Sequence, residues 1–361
     1  MTTHNRTVGV EEEFLLVDPG SGLVQAAAQR VAPRVGRQAQ RELTQEQVEI
    51  GTPPALELGQ LEQDLLALRR RVAEVATGTG IALAALGTSP LPAEPTTTHD
   101  TRYLTMTAEF GRLGREQLTC GCHVHIAVDS PDQAVAALDR IRPWLACLTA
   151  ISANSPFWEG QDTGYASWRT QMWERWPSAG PTELFGSAAA YQELAADLVR
   201  SGVLLDRKML YYDARLSDHL PTLEIRVADV CGTVETTVLV AAIVRGLVLT
   251  ALRELEEGIP PLPVRTELLH AAQWRASRSG VRGELVELFE RRAVPASTML
   301  DRLADHIGPA LKTNGDAEYV RVGLDRVLRD GTAADRQRAV FAETGDLAAV
   351  VRDAVQQTVL G

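Results

Sequence analysis

The chain has 361 residues, a net charge of −11, 45% hydrophobic residues and 23% charged ones, which is the profile of a globular fold long enough for one large core or two smaller ones. The acidic balance argues against general nucleic-acid binding and against adhesion to an anionic membrane. Lysine occurs only at Lys208 and Lys312, so Schiff-base chemistry is disfavoured and arginine is left to hold phosphate or carboxylate.

The first predicted element is a strand over Val8–Asp18. Side chains alternate across a strand with period two, so Glu11 and Glu13 share a face opposite Val10, Phe14 and Leu16. A second polar segment, residues 42–50, ends at Thr52-Pro53-Pro54. Residues 59–77 carry apolar positions at helical spacing, residues 81–87 predict a short buried strand, and residues 88–98 a loop rich in Pro and Thr. The next strand, Cys120–Val128, puts His123 and His125 on one face, opposite Cys122, Val124 and Ile126. A helix is predicted from near Pro131 to about Ala153. Residues 154–186 read as one long irregular segment holding four of the six tryptophans, and segments of that kind are usually functional, so it is a candidate binding lid. A helix over about 187–201 precedes Tyr211–Arg215 and a strand over Thr222–Val227, where Glu224 and Arg226 share a face opposite Leu223, Ile225 and Val227. Residues 236–252 form the longest apolar stretch, which Arg245 interrupts; it predicts a buried helix rather than a membrane span. From residue 235 onward the pattern is mostly helical, with a break at Pro260-Pro261-Leu262-Pro263. The strands lack a βαβ rhythm, so an α+β fold with a largely antiparallel sheet is expected. It is expected as a single domain over 1–361, with a sheet-bearing core at about 1–258 and a mostly helical part at about 259–361.

Polar groups with ligand capability that point the same way from buried strands cost free energy unless something pairs with them. Glu11, Glu13, Glu49, His123 and Glu224 could together hold hard divalent cations such as magnesium or manganese, which take carboxylate oxygens and keep positions open for phosphate. Each also has an ordinary alternative. The Glu11–Glu13 run could be a charged edge that prevents aggregation, the His-x-His pair two hydrogen-bonded polar residues, and Glu-x-Arg a simple ion pair. The four cysteines, Cys120, Cys122, Cys147 and Cys231, show no C-x-x-C pair. Small residues filling a tight strand are preferred over a soft-metal site beside His123, and with no apolar signal core before Glu11 the expected location is cytoplasmic.

Gly9–Asp18 resembles the Gly-x-Glu-x-Glu-Phe strand shared by the glutamine synthetases and glutamate–cysteine ligases. Gly121–His125 resembles their Gly-x-His-x-His strand, and Glu224-Ile225-Arg226 their Glu-x-Arg strand. Nearly the whole chain resembles the narrower group of bacterial carboxylate–amine ligases, or type 2 glutamate–cysteine ligases. The likeness includes Asn154-Ser155-Pro156, Asp162-Thr163 with Ala166-Ser167-x-Arg169, Arg215-x-x-x-His219 and residues 331–338. The resemblance implies a curved antiparallel catalytic sheet with helices on its convex side, and a cytoplasmic enzyme that uses ATP with Mg2+ or Mn2+. It implies Glu11, Glu13, Glu49, His123, Glu224 and, more weakly, Glu42 as metal ligands. Glu42 and Glu49 have opposite strand parity, so a bend must intervene. His125 is implied towards the nucleotide phosphates, Arg226 at the transferred phosphate, and Asn154, Arg169 and Arg215 at substrate carboxylates, with a structural loop anchor the alternative for Arg169. The implied partners are a small carboxylic acid and an amine, not nucleic acid or membrane, and a homodimer is left open. The implied reaction passes through an acyl phosphate of glutamate, with weak use of cysteine within its scope. A metal-dependent hydrolase and a non-catalytic ligand sensor are the competing readings.

Overall fold

A computed structural model describes residues 5–360. Its strands, in chain order, are β1 (Val8–Val17), β2 (Ala39–Arg41), β3 (Gln47–Gly51), β4 (Ala82–Ala84), β5 (Gly121–Ala127), β6 (Phe157–Trp158), β7 (Gln161–Asp162), β8 (Ala214–Leu216), β9 (Thr222–Asp229), β10 (Glu284–Glu287) and β11 (Arg292–Pro295). Among the described residues the main sheet has seven strands in the order β2-β3-β1-β5-β9-β8, with β4 paired to the end of β1. Every pairing in it is antiparallel. The α+β class with an antiparallel sheet is therefore what these residues form.

Alternation in β1 explains its central place. Val8, Val10, Phe14 and Leu16 are buried in the core, while Glu11 and Glu13 look to the other face. β1 lies in the middle of the sheet, so its acidic run does not guard an edge. Glu12 points to the core and is met there by Arg69, both side chains being 0% exposed. Arg69 comes from the helix Leu58–Thr77, whose buried stripe Leu61, Leu65, Leu68 and Val72 packs behind the sheet. The 23-residue helix Val234–Glu256 crosses the same face. Its Arg245 is buried and donates to Asp316 at 2.6 Å, so a charge in an apolar helix finds its counter-charge inside the protein. No helix among the described residues is long and apolar enough to cross a membrane.

Three expectations change in detail. The helix expected over 131–153 is two helices, Pro131–Ile141 and Leu145–Ser152, joined by a 3-10 turn at Arg142-Pro143-Trp144; Pro143 cannot donate the helical hydrogen bond. The irregular segment 154–186 contains the small hairpin β6–β7 and a short helix, Trp168–Trp173. The C-terminal part is helical but carries the hairpin β10–β11.

Candidate active site

The strand registers bring the polar residues onto one face. Glu11 lies opposite His123, and Glu13 opposite Glu49. His125 lies opposite Glu224, which also faces Arg215 across β8–β9. Glu42 sits in the connection between β2 and β3, where the chain turns back, and so reaches Glu49 despite the opposite parity of the two positions. These residues line one cavity of about 460 Å³, together with Gln40, Tyr103, Met106, Gln117, Trp173, Trp176, Tyr211, His219 and Arg226.

Three overlapping sets of ligand atoms each fall within 4.8 Å: Glu11, Glu49 and His123; Glu11, His125 and Glu224; and Glu13, Glu42 and Glu49. His125 thus joins a ligand-competent group, where the sequence placed it only beside the nucleotide. Its Nδ1 is 3.0 Å from Thr222 Oγ1 and its Nε2 is 3.4 Å from Glu11 Oε2. The cysteines are buried and belong to none of these groups.

The electrostatics are those of a crowded acidic face. Burial and then the Glu13 charge push Glu42 up to about 8, and burial with the Glu42 charge pushes Glu49 well above the carboxylate range. Burial alone would raise Glu11, but its contacts with His123 and His125 outweigh that and hold it low. Burial and the neighbouring Arg226 lower His123, favouring the neutral imidazole a metal needs. His123 Nε2 and His125 Nε2 are buried with no hydrogen-bond partner, and native interiors rarely leave such atoms unpaired. Crowded carboxylates beside orphaned imidazole nitrogens fit divalent cations.

The opposite side of the cavity is basic. Glu224 accepts from Arg215 Nε at 2.8 Å and Nη2 at 3.1 Å, and also from Arg226. Burial opposes ionisation of Glu224, but the two arginines hold its carboxyl far below the usual range. The ion-pair reading of Glu-x-Arg is therefore realised beside the ligand reading, since a carboxylate has lone pairs for both. Arg226 Nε is buried without a partner, and its guanidinium lies 5.6 Å from the Trp173 ring centroid. Gly121 N–H donates to Glu13 Oε2 at 2.6 Å, fixing that carboxylate.

Two expected substrate contacts lie elsewhere. Asn154 is buried outside this cavity, its amide nitrogen donating to the carbonyls of Ala85 and Val230 at 2.8 Å each. Arg169 is buried beside the cavity, not in its lining, and donates to the carbonyls of Arg226 and Val227, as a loop anchor does. Of the tryptophans in the expected lid, Trp173 and Trp176 line the cavity, while Trp158 and Trp168 line a separate groove. The Tyr103 and Met106 wall escaped the sequence reading, because the helix Thr101–Phe110 carries no motif beyond an ordinary amphipathic pattern.

The chain matches the description "Glutamate-cysteine ligase family 2" over residues 7–353. A relative from Frankia alni, provisionally named glutamate–cysteine ligase 2-2, is 50% identical over 377 aligned positions, covering 99% of this chain and 98% of the relative. One from Streptomyces coelicolor, provisionally named glutamate–cysteine ligase 2, is 45% identical and covers 98% and 99%. Among solved structures, the fold is shared with the glutamate–cysteine ligase of Francisella tularensis in complex with AMP, at a TM-score of 0.72, 13% identity and coverage of 99% and 89%. It is shared also with a bifunctional glutathione synthetase from Pasteurella multocida, at a TM-score of 0.71, 15% identity and coverage of 99% of this chain and 52% of that one.

Proposed function

The chain belongs to glutamate–cysteine ligase family 2 and is an ATP-dependent carbon–nitrogen ligase, and from that premise we propose that it makes an amide through an acyl phosphate, with glutamate as the acid. The observation that carries the reading is one cavity with a carboxylate–imidazole wall facing a guanidinium wall. The first wall suits cations that accompany a triphosphate; the second suits the phosphoryl oxygens and the carboxylate of the acid. The name of the family and of its relatives supports glutamate, and cysteine is one amine to be tested.

Glu11, Glu13, Glu42, Glu49, His123 and Glu224 would hold Mg2+ or Mn2+, with His125 beside them; bound there, the ions would neutralise phosphate oxygens. In the first step an oxygen of the acid's carboxylate attacks the γ-phosphorus of ATP. The bond from that phosphorus to the β-bridging oxygen breaks, and ADP leaves with the electron pair. In the second step the amine nitrogen attacks the acyl carbon, the carbon–oxygen bond to phosphate breaks, phosphate leaves, and the nitrogen gives up a proton. The acid is its own nucleophile, so no serine or cysteine is needed. Arg226 contacts the phosphoryl group as charge spreads over its oxygens, and Arg215, anchored by Glu224, orients the acid's carboxylate. Trp173, Trp176 and Tyr211 wall off the acyl phosphate from water.

ADP formation is the test, run with Mg2+ or Mn2+, a panel of acids and a panel of amines, with product mass read alongside. Glutamate-dependent ADP release that needs an amine is expected. In Arg226→Ala and Glu224→Ala it should fall by roughly 10³-fold; undiminished turnover in either variant refutes the assignment. The hydrolase reading predicts metal-dependent turnover with no nucleotide, and the sensor reading predicts binding without ADP release.

A further inference from the structure

At the Gly121–Asp229 end of the sheet lies a buried cluster that no step of the reaction touches. Asp229, at the end of β9, accepts from the Asn154 N–H at 2.9 Å, Ser155 Oγ at 2.7 Å and Ser167 Oγ at 2.8 Å. Ser155 Oγ in turn accepts from the Arg169 backbone N–H at 3.0 Å. Burial raises Asp229, and the Arg169 charge is the chief opposing influence. The start of the Trp168–Trp173 helix is thus anchored, and the Arg169 side chain is launched towards the sheet.

The guanidinium that arrives there is poorly repaid for its burial. Arg169 is 2% exposed, donates to the Arg226 carbonyl at 3.3 Å and the Val227 carbonyl at 3.5 Å, and leaves Nε without a partner. Its charge balances the buried Asp229 and Asp213 carboxyls from a distance, but its direct bonds go to the two β9 carbonyls, so charge balance alone does not account for where it sits. Its location is informative. Between Cys122 and Val124 the β5–β9 register slips, so His123 faces both Arg226 and Val227. The two carbonyls that Arg169 holds belong to that bulge, a device that re-aims side chains. The guanidinium also occupies the space a side chain at Gly121 would need: a Cβ there would lie 3.0 Å from Arg169 Cζ. The Trp173 ring, on the cavity wall, has the Arg169 guanidinium 5.5 Å from its centroid and that of Arg226 5.6 Å away.

We propose that Arg169 is a positioning residue for phosphoryl transfer, holding the Arg226/Val227 bulge and the Trp173 wall so that the Arg226 guanidinium is aimed into the cavity. The proposal rests on the ligase reading, in which Arg226 meets the transferred phosphoryl group. Arg169 touches no substrate in this scheme. It acts by clamping two carbonyls and by packing on the Trp173 ring that Arg226 also meets.

Arg169→Lys keeps the charge but loses the planar fork; Arg169→Gln loses both. With Mg2+, glutamate and the best amine, kcat for ADP formation should fall roughly 10- to 100-fold in each, the scale of an ångström's misplacement. KM for ATP should stay within about 3-fold, because only the transition-state contact is disturbed. Calorimetry should show weaker binding of ADP with aluminium fluoride and unchanged binding of ADP alone. Gly121→Ala, which pushes the guanidinium away, should give the same split, and adding it to Arg169→Gln should cost little more because the clashing group is gone. It also carries the test if the Arg169 variants do not fold. Lost thermal stability at unchanged kcat, or losses in Arg169→Lys and Arg226→Lys that multiply fully, would overturn the positioning role. Failure of the ligase reading looks different: Arg226→Lys turns over at the wild-type rate, or no acid supports ADP release, and the inference falls with it.

Discussion

Removing Arg69 leaves a fully buried carboxylate without its counter-charge. Arg69 Nε and Nη2 donate to the two oxygens of Glu12 at 2.9 and 2.5 Å, and the pair is fully buried. Arg69 also donates to the Thr358 carbonyl at 3.2 Å and the Cys231 carbonyl at 2.9 Å, so it ties β1 to the C-terminal helix Leu347–Thr358 and to the residues after β9. In Arg69→Met the Glu12 carboxylate keeps only the Thr237 hydroxyl, now 2.7 Å away. Orphaning a buried charge costs about 3–5 kcal/mol, and each lost carbonyl bond adds about 1 kcal/mol, for a total of roughly 5–7 kcal/mol. Arg69→Met/Glu12→Leu removes the charge as well and should cost only about 2–3 kcal/mol, mainly from the two carbonyls. Urea unfolding followed by circular dichroism, with the denaturant slope unchanged, measures both. A double variant as unstable as the sum of its single changes would refute the reasoning, because the cost would then lie in packing rather than in an unpaired charge.

Other outcomes follow from the charges and spaces described. Glu42 is held up near 8, so metal-free protein should lose stability as pH rises from about 4.5 through 8, where the unfolded chain has already released that proton. Glu42→Gln should flatten this slope and shrink the rise in melting temperature on adding Mn2+, both read by thermal unfolding with and without chelator. His306, stacked on Trp144 at 4.6 Å, is lowered by burial and then by the Arg253 charge to about 4. Its neutral form is favoured in the fold, so stability should be full above pH 6.5 and fall through 4, by at most about 3 kcal/mol. A His306→Gln variant that keeps the wild-type pH slope would locate the effect elsewhere. In Gly323→Ala the new Cβ would meet Leu239 Cδ1 at 2.7 Å and Cδ2 at 3.0 Å, costing about 1–3 kcal/mol by overpacking; an unchanged urea midpoint would show that Leu239 simply turns aside.

Period-two alternation carried the face assignments of Glu11, Glu13, His123, His125, Glu224 and Arg226, because β1, β5 and β9 up to Arg226 alternate polar and apolar residues. Glu42 was legible only as a conflict of parity, which the β2–β3 connection resolves by turning the chain. Asn154 and Arg169 fall outside the cavity lining for a different reason. Their residue types suit a carboxylate, and nothing in linear order says on which side of a sheet a loop returns. The bulge at Arg226/Val227 has no sequence mark at all, since both residues would suit an unbroken strand.

The buried arginines differ in how fully the fold satisfies them, which type and order do not carry. Arg69 and Arg245 are each closed off by a carboxylate, from Glu12 and Asp316; they are finished interactions, and their function is to hold elements together. Arg226, although bonded to Glu224, and Arg169 each keep a buried Nε unpaired, as Arg142 outside the site keeps Nη2 and as His123 and His125 keep Nε2. A fold that satisfies some of its buried cations fully, yet leaves these neighbouring nitrogens open, is not short of partners in general. The open atoms at His123, His125 and Arg226 border the cavity, where ligands can complete them. The open atom of Arg169 lies off the cavity lining, in a guanidinium that balances the buried Asp229 carboxyl and holds the two carbonyls of the Arg226/Val227 bulge.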